Sequence, residues 1–93
     1  MSLFAAPRYD VIVQCLDVLW LFHPETEAAW TWLEEQAQAV FAAEAVFDAE
    51  FGLCEVNART GPALVAGLTE AGLRPMAYTK AGQLVPFPEP QGR

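Results

Sequence analysis

Basic residues are missing from more than half of this chain. Between Arg8 and Arg59 there is no Lys or Arg, whereas the same fifty residues contain ten acidic residues. The formal net charge of the whole chain is −7. Proteins bind phosphate backbones and anionic membranes through Lys and Arg. The sequence therefore predicts neither direct nucleic-acid binding nor membrane docking.

Side chains that ligate metals or act as nucleophiles are also few. His23 is the only histidine, and Cys15 and Cys54 are the only cysteines. They form no zinc-type cluster, no loop has EF-hand spacing, and no Gly-rich phosphate loop is present. A Cys15–His23 nucleophile pair would need a third, orienting group, and none is evident. We therefore expect no enzyme, no metal and no cofactor, and two buried, reduced and inert cysteines.

Long apolar runs are absent. The longest, residues 18–22, is far shorter than the roughly 20 residues of a membrane span. The first eight residues lack the positive and apolar regions of a signal peptide. These features indicate a cytoplasmic protein.

Glycine does not occur before Gly52, and this limits how the first strands can turn. Residues 9–23 are rich in β-branched and aromatic side chains, which favours strand. Two interpretations remain open, a hairpin with an unusual turn or one long bent strand. Fifteen residues are long for a single strand, so the hairpin is favoured.

A first helix is predicted over residues 25–44, which contain no Gly or Pro. We expect Pro24 to end the preceding strand and to open the helix in its first turn. Trp32 and Leu33 share the buried face. Trp30 lies about 160° around the helix from Trp32, so one tryptophan is expected to leave the core.

The second half predicts a strand over residues 47–58, a second helix, and a small hairpin. Thr60 is the expected N-cap, Pro62 lies in the first turn, and Gly72 stops the helix. The order ββ-α-β-α-β(β) predicts an α+β fold, a two-layer α/β sandwich with helices on one face of a small, mostly antiparallel sheet. Residues 1–85 form one domain, and the Pro-rich residues 86–93 form an extended or disordered tail.

Several short motifs resemble a loosely defined group of short, uncharacterised proteins of bacteria, plasmids and phages. The resemblance rests on the pattern Pro24-x-Thr26-x-x-Ala29-x-x-Trp32, on residues 56–59, and on the end of the second helix. Asn57 departs from the acidic residue expected there. The resemblance implies a fold and a mobile-element setting, and no activity.

The favoured function is a non-catalytic, acidic protein-interaction domain, such as a phage accessory protein or inhibitor. Its acidic helix would imitate a nucleic-acid backbone and dock on a basic, nucleic-acid-handling partner. The alternative is a structural homo-oligomer, for example a homodimer, whose acidity serves only solubility. Adjacent Glu34 and Glu35 do not face each other on a helix, so they form no acid–base pair. The predicted partner-binding residues are Glu27, Trp30, Glu34, Glu35, Glu44, Asp48 and Glu50.

Overall fold

The computed structural model describes residues 9–39 and 45–87, with residues 37–39 described by their backbone alone. Its elements follow the order β-β-α-β-β-α-β-β. They are β1 (Val11–Cys15), β2 (Leu19–Pro24), α1 (Glu27–Ala39), β3 (Ala45–Asp48), β4 (Leu53–Asn57), α2 (Gly61–Glu70), β5 (Pro75–Tyr78) and β6 (Leu84–Pro86). The strands form one sheet in the order β3-β4-β2-β1-β5-β6. Only β1 and β5 pair in parallel. The predicted α+β class with a mostly antiparallel sheet is confirmed.

One face of the sheet carries the core. Val13 pairs with Phe22, Phe22 with Cys54, and Cys54 with Phe47. Directly opposed residues of antiparallel strands point to the same face, so these side chains form one continuous row. Buried residues of both helices pack against this row. The helices therefore form one layer and the sheet forms the other. The buried cluster is Val11, Val13, Phe22, Ala29, Leu33, Ala45, Cys54, Val56, Leu64, Val65 and Leu68. We call the opposite side of the sheet the open face.

Residues 9–23 form the favoured hairpin rather than one bent strand. Cys15 pairs with Trp20, and the Leu16 N–H donates to the Leu19 carbonyl at 2.8 Å. The turn contains no glycine, so the hairpin closes without a residue at positive φ.

The predicted role of Pro24 in α1 is wrong. Pro24 is the last residue of β2 and pairs with Val11. The pairing of β2 with β4 ends at Phe22, so the missing N–H of Pro24 removes no ladder bond on that side. Thr26 is the N-cap instead, because its Oγ1 accepts from the Ala29 N–H at 3.2 Å. The helix is described from Glu27 to Ala39, and its predicted end at residue 44 lies outside the described residues.

The single strand predicted over residues 47–58 is a hairpin, β3–β4. Asp48 Oδ1 accepts from the N–H groups of Glu50 and Phe51 at 3.0 and 3.3 Å. Gly52 has a φ of +66°, and its N–H donates to the Asp48 carbonyl at 2.8 Å. An Asp at the start and a left-handed Gly at the end are enough to reverse the chain. The sheet therefore gains an additional end strand.

The predictions for α2 are confirmed. Thr60 occupies the N-cap position, although its side chain makes no capping hydrogen bond to the helix, and Pro62 lies in the first turn. At the other end, the Leu73 N–H donates to the Leu68 carbonyl, and the Gly72 N–H to the Thr69 carbonyl. With Gly72 at a φ of +82°, this is a Schellman motif. Leu73 packs against the core.

The Pro-rich C-terminal segment joins the fold further than predicted. Pro86 ends β6, an end strand where a missing N–H is tolerated. Phe87 packs edge-on against Trp20 at 5.6 Å between ring centroids. Hydrophobic burial of this aromatic ring extends the domain to residue 87. The rest of the predicted tail lies outside the described residues.

Candidate protein-interaction site

Two tryptophans lie on either side of the buried seam of α1. Ala29 and Leu33 are fully buried, and helical geometry puts Trp30 and Trp32 about 80° to either side of them. Trp32 packs against the core, and its ring lies over Gly67 of α2. Trp30 packs instead on the β3–β4 hairpin. Trp30 is therefore the tryptophan that leaves the core.

The ring of Trp30 is held by two residues of that hairpin. Phe47 meets it edge-on, with ring centroids 5.1 Å apart and planes at 78°. In the turn before β4, a Cβ added to Gly52 would lie 3.0 Å from Trp30 Cζ3. Gly52 thus serves two purposes, since it also supplies the left-handed turn. Trp30 as a whole is half-buried.

The predicted glutamates of α1 divide between two sides of the helix. Glu27 and Glu34 lie within about 60° of Trp30, on the stripe that adjoins the hairpin. Glu35 is rotated about 100° further from Glu34, past the solvent side. Glu27 and Glu35 are exposed, whereas Glu34 is half-buried. The structure therefore brings Glu27 and Glu34 together with Trp30 and separates Glu35 from them.

The hairpin turn adds further acids and one apolar side chain. Asp48 is half-buried and its carboxylate is engaged in the turn, so its first role is to shape the turn. Glu50 is exposed at the tip, and Phe51 beside it is 73% exposed. Glu44 lies outside the described residues. We call the following residues the acidic Trp30 surface: Glu27, Trp30, Glu34, Asp48, Glu50 and Phe51.

Sequence reasoning missed the exposure of Phe51, because it assigned this residue to the apolar set of a strand. The spacing of Asp48 and Gly52 is the signal that would have placed Phe51 in a turn. Exposed aromatic residues are enriched at the centres of protein interfaces. Phe51 is therefore part of the candidate site.

Asp10 is a second residue whose importance the sequence did not show. Its Oδ1 accepts from the Thr26 hydroxyl at 2.9 Å, and its Oδ2 accepts from the Arg74 N–H at 2.8 Å. Its own backbone N–H donates to the Arg74 carbonyl. One carboxylate therefore ties the start of β1 to the N-cap of α1 and to the loop before β5. This position supports the site structurally, since it fixes where α1 begins.

Cys15 and His23, the residues weighed for catalysis, line one groove beside β1, but the described hydrogen bond of His23 goes to Gln14. The Nε2 of His23 lies 3.3 Å from Oε1 of Gln14, an amide that cannot relay a proton. Cys54 is buried as expected, but Cys15 is exposed, because its strand ends at the turn. Burial, and then the charge of Glu55, raise the pKa of Cys54 to about 11. Partial burial also raises the pKa of Cys15. Both thiols are therefore protonated and weakly nucleophilic at neutral pH.

Among residues 9–39 and 45–87, no group of three or more His, Cys, Asp or Glu side chains is arranged to hold a metal ion. In the same part of the chain, no helix combines the length and the apolar character that crossing a membrane requires. In comparisons with known proteins, no family model, no curated protein and no solved structure matches this chain.

Proposed function

We propose that this chain is a non-catalytic protein-interaction domain that docks its acidic Trp30 surface on a basic partner. The observation that carries the proposal is the setting of Trp30. Its ring packs against Phe47 and Gly52, and helical geometry puts Glu27 and Glu34 beside it on α1. A rigid aromatic anchor with a charged rim is the usual composition of a binding hot spot.

The charge of this surface supports a basic partner. Residues 9–58 contain no Lys or Arg, so no basic side chain from this part of the chain neutralises Glu27, Glu34 or Glu50. A partner that presents Lys and Arg would supply the missing countercharges and would be steered to this side of the molecule. Grooves that bind nucleic acids have this composition.

The apolar residues of the surface add affinity that charge alone does not provide. Trp30 lies on α1, and the exposed Phe51 lies on the β3–β4 turn. Their burial by a partner would remove apolar area from water. We therefore expect the partner to present basic side chains around an apolar depression. The partner proposed is a nucleic-acid-handling protein, with the chain acting as a mobile-element accessory protein or inhibitor.

Salt dependence tests the proposal. The chain would be immobilised and used to capture proteins from a bacterial lysate, first at 0.1 M and then at 1 M salt, where the screening length falls from about 10 Å to about 3 Å. Captured nucleic-acid-binding proteins should be lost at high salt and should be displaced by duplex DNA. Capture that resists both salt and DNA would contradict the proposal.

The homo-oligomer alternative has one observation in its favour. Val46 lies on β3, the end strand of the sheet, and is 63% exposed. End strands with exposed apolar side chains and no Pro or Lys are prone to pair with a second copy. Sedimentation velocity of the wild type and of Val46→Lys would decide. A concentration-dependent dimer that Val46→Lys abolishes supports this alternative, and a monomer at all concentrations removes it.

A further inference from the structure

One end of the sheet carries several exposed apolar side chains. β1 ends at Cys15 and β2 begins at Leu19, so the turn between them lies at this end. β5 runs parallel to β1, and its last residue, Tyr78, therefore lies at the same end. In the turn, Leu16 and Val18 are 43% and 74% exposed, and Tyr78 is 61% exposed.

Two exposed basic residues lie next to these apolar side chains. Arg59 directly follows Ala58, whose N–H donates to the Val18 carbonyl at 3.0 Å. On the other side, Lys80 lies two residues after Tyr78, in the β5–β6 turn. Both basic residues are exposed. We call the following residues the turn-end surface: Leu16, Val18, Arg59, Tyr78 and Lys80.

Basic residues are rare in the part of the chain that the structure describes, and most of them lie at this end. The described residues contain three, which are Arg59, Arg74 and Lys80. Arg59 and Lys80 belong to the turn-end surface. Asp17, in the β1–β2 turn, offsets one of their two charges. The turn-end surface is therefore a positive site on an otherwise acidic molecule.

The acidic Trp30 surface lies toward the opposite end of the sheet. β4 begins after the β3–β4 turn and ends at Asn57, which lies at the same end as the turn-end surface. The β3–β4 turn, with Glu50 and Phe51, is therefore at the other end of β4. The start of α1 is there as well, because α1 follows Pro24, which pairs with Val11 at the start of β1. One molecule can thus present the two surfaces to two different neighbours.

The two surfaces are complementary in charge, and both have exposed apolar side chains. The turn-end surface has two basic and three apolar residues, and the acidic Trp30 surface has four acids and the 73% exposed Phe51. Charges act over about 8 Å at physiological salt, so the residues at a contact matter more than the net charge of −7. A contact between two acidic surfaces would set like charges against each other. Two copies are therefore best matched head to tail.

We propose that the turn-end surface of one copy docks on the acidic Trp30 surface of a second copy, so that the chain self-associates head to tail. Such contacts do not close after two copies, and they continue into rings or open filaments. This self-association rests on the proposed function, since it uses the acidic Trp30 surface as a docking surface. Because a second copy occupies that surface, self-association and partner docking exclude each other.

Two double variants each reverse the charge of one surface. Arg59→Glu with Lys80→Glu changes the turn-end surface, and Glu34→Lys with Glu50→Lys changes the acidic Trp30 surface. In sedimentation velocity at about 0.1 M salt, the mean mass of the wild type should rise with concentration, whereas each double variant alone should remain a monomer. An equimolar mixture of the two variants should associate again, because each keeps the surface that the other lacks.

Single substitutions separate local charge from net charge. Lys80→Glu and Arg74→Glu change the net charge equally, but Arg74 lies at the other end of β5, where its N–H donates to Asp10. Lys80→Glu should weaken self-association roughly two- to fivefold, the value of one exposed ion pair, and Arg74→Glu should leave it unchanged. Val18→Ser should also weaken it without affecting the fold, because Val18 is 74% exposed. Circular dichroism shows whether each variant is folded.

Several results would overturn the proposal. One is a wild type that remains a monomer at millimolar concentration, and capture from a lysate would still test the proposed function separately. Another is self-association that both double variants retain and that Val46→Lys abolishes, since that result indicates pairing through β3. A mixture of the double variants that stays monomeric would rule out the head-to-tail arrangement. Equal effects of Lys80→Glu and Arg74→Glu would show that only net charge acts.

Discussion

Trp30 and Phe47 meet edge-on, with ring centroids 5.1 Å apart and an interplanar angle of 78°. Such pairs contribute about 0.5–1.5 kcal/mol beyond the area they bury. This pair joins α1 to the end strand of the sheet, and therefore fixes which side of the helix adjoins the β3–β4 turn. The contact therefore places the β3–β4 turn, which carries Glu50, next to the Trp30 side of α1.

Charge reversal at two adjacent residues should have different effects on partner binding. Glu34 lies on the Trp30 side of α1, whereas Glu35 is rotated about 100° away. Glu34→Lys and Glu35→Lys have the same net charge, so a difference between them cannot arise from overall charge. We expect Glu34→Lys to weaken capture of a basic partner several-fold and Glu35→Lys to have little effect. Equal losses, measured by quantitative capture at 0.1 M salt, would show that only net charge matters.

Substitutions at two aromatic residues of the surface should differ in their effect on stability but should both weaken partner binding. Trp30→Leu removes the contacts with Phe47 and Gly52 and should lower the free energy of unfolding by about 1–3 kcal/mol. Phe51→Ser changes a side chain that is 73% exposed, so its stability should stay within about 0.5 kcal/mol of the wild type. Partner capture should fall in both variants. Urea unfolding and capture assays measure the two effects, and unchanged capture by Phe51→Ser would remove Phe51 from the site.

The hydrogen bonds of Asp10 should make it important for stability. Asp10→Ala leaves the Thr26 hydroxyl and the Arg74 N–H without their acceptor, which should cost about 1–3 kcal/mol. Asp17→Ala is the control, because Asp17 is exposed in the β1–β2 turn. In a double-mutant cycle, Asp10→Ala and Thr26→Ala should cost less together than the sum of their separate effects. Strict additivity in urea unfolding would show that the two side chains do not interact.

The buried thiol of Cys54 should make stability depend on pH in the alkaline range. Its pKa is raised to about 11 in the folded state, against about 8.5 in an unfolded chain. The folded state therefore holds the proton longer, and this contribution to stability is fully present below about pH 8.5. It is lost as pH rises toward 11, with a slope of up to about 1.4 kcal/mol per pH unit.

The variant Cys54→Ala isolates this effect from other alkaline titrations. The difference in unfolding free energy between wild type and Cys54→Ala should shift in favour of the variant between pH 8.5 and 11. Cys15→Ala is the control and should show a smaller shift, because Cys15 is exposed. A difference that does not vary with pH, in chemical unfolding at several pH values, would contradict the assignment.

Gly61 should resist replacement by a better helix former. Helix propensity favours Ala over Gly by about 1 kcal/mol, but a Cβ at Gly61 would collide with the ring of Trp20. We expect Gly61→Ala to destabilise the fold by about 1–3 kcal/mol through overpacking. In a Trp20→Leu background the same change should cost less, because the indole is gone. Thermal unfolding of the four proteins tests this, and an equal cost in both backgrounds would rule out the collision.

Local chemistry in the sequence was enough to predict much of the fold. The Schellman end of α2 follows from Gly72 and Leu73, and its start follows from Thr60 and Pro62, because caps depend on neighbouring residues. Two predictions failed where local signals compete. Pro24 ends β2 as predicted, but it does not open α1, because the capping bond of Thr26 starts the helix two residues later. The turn at Asp48 was not predicted, because the residues on both sides of it favour strand and the whole segment was assigned to one strand.

The sequence by itself determined that the charge is segregated, that the chain folds as α+β, and that no basic side chain lies among residues 9–58. Only the tertiary structure decided which acids share a surface, because that depends on the contact of Trp30 with Phe47 across the hairpin. The parallel pairing of β1 with β5 likewise joins two strands that are about sixty residues apart in sequence. Contacts between distant residues arise from packing, which a local pattern does not encode.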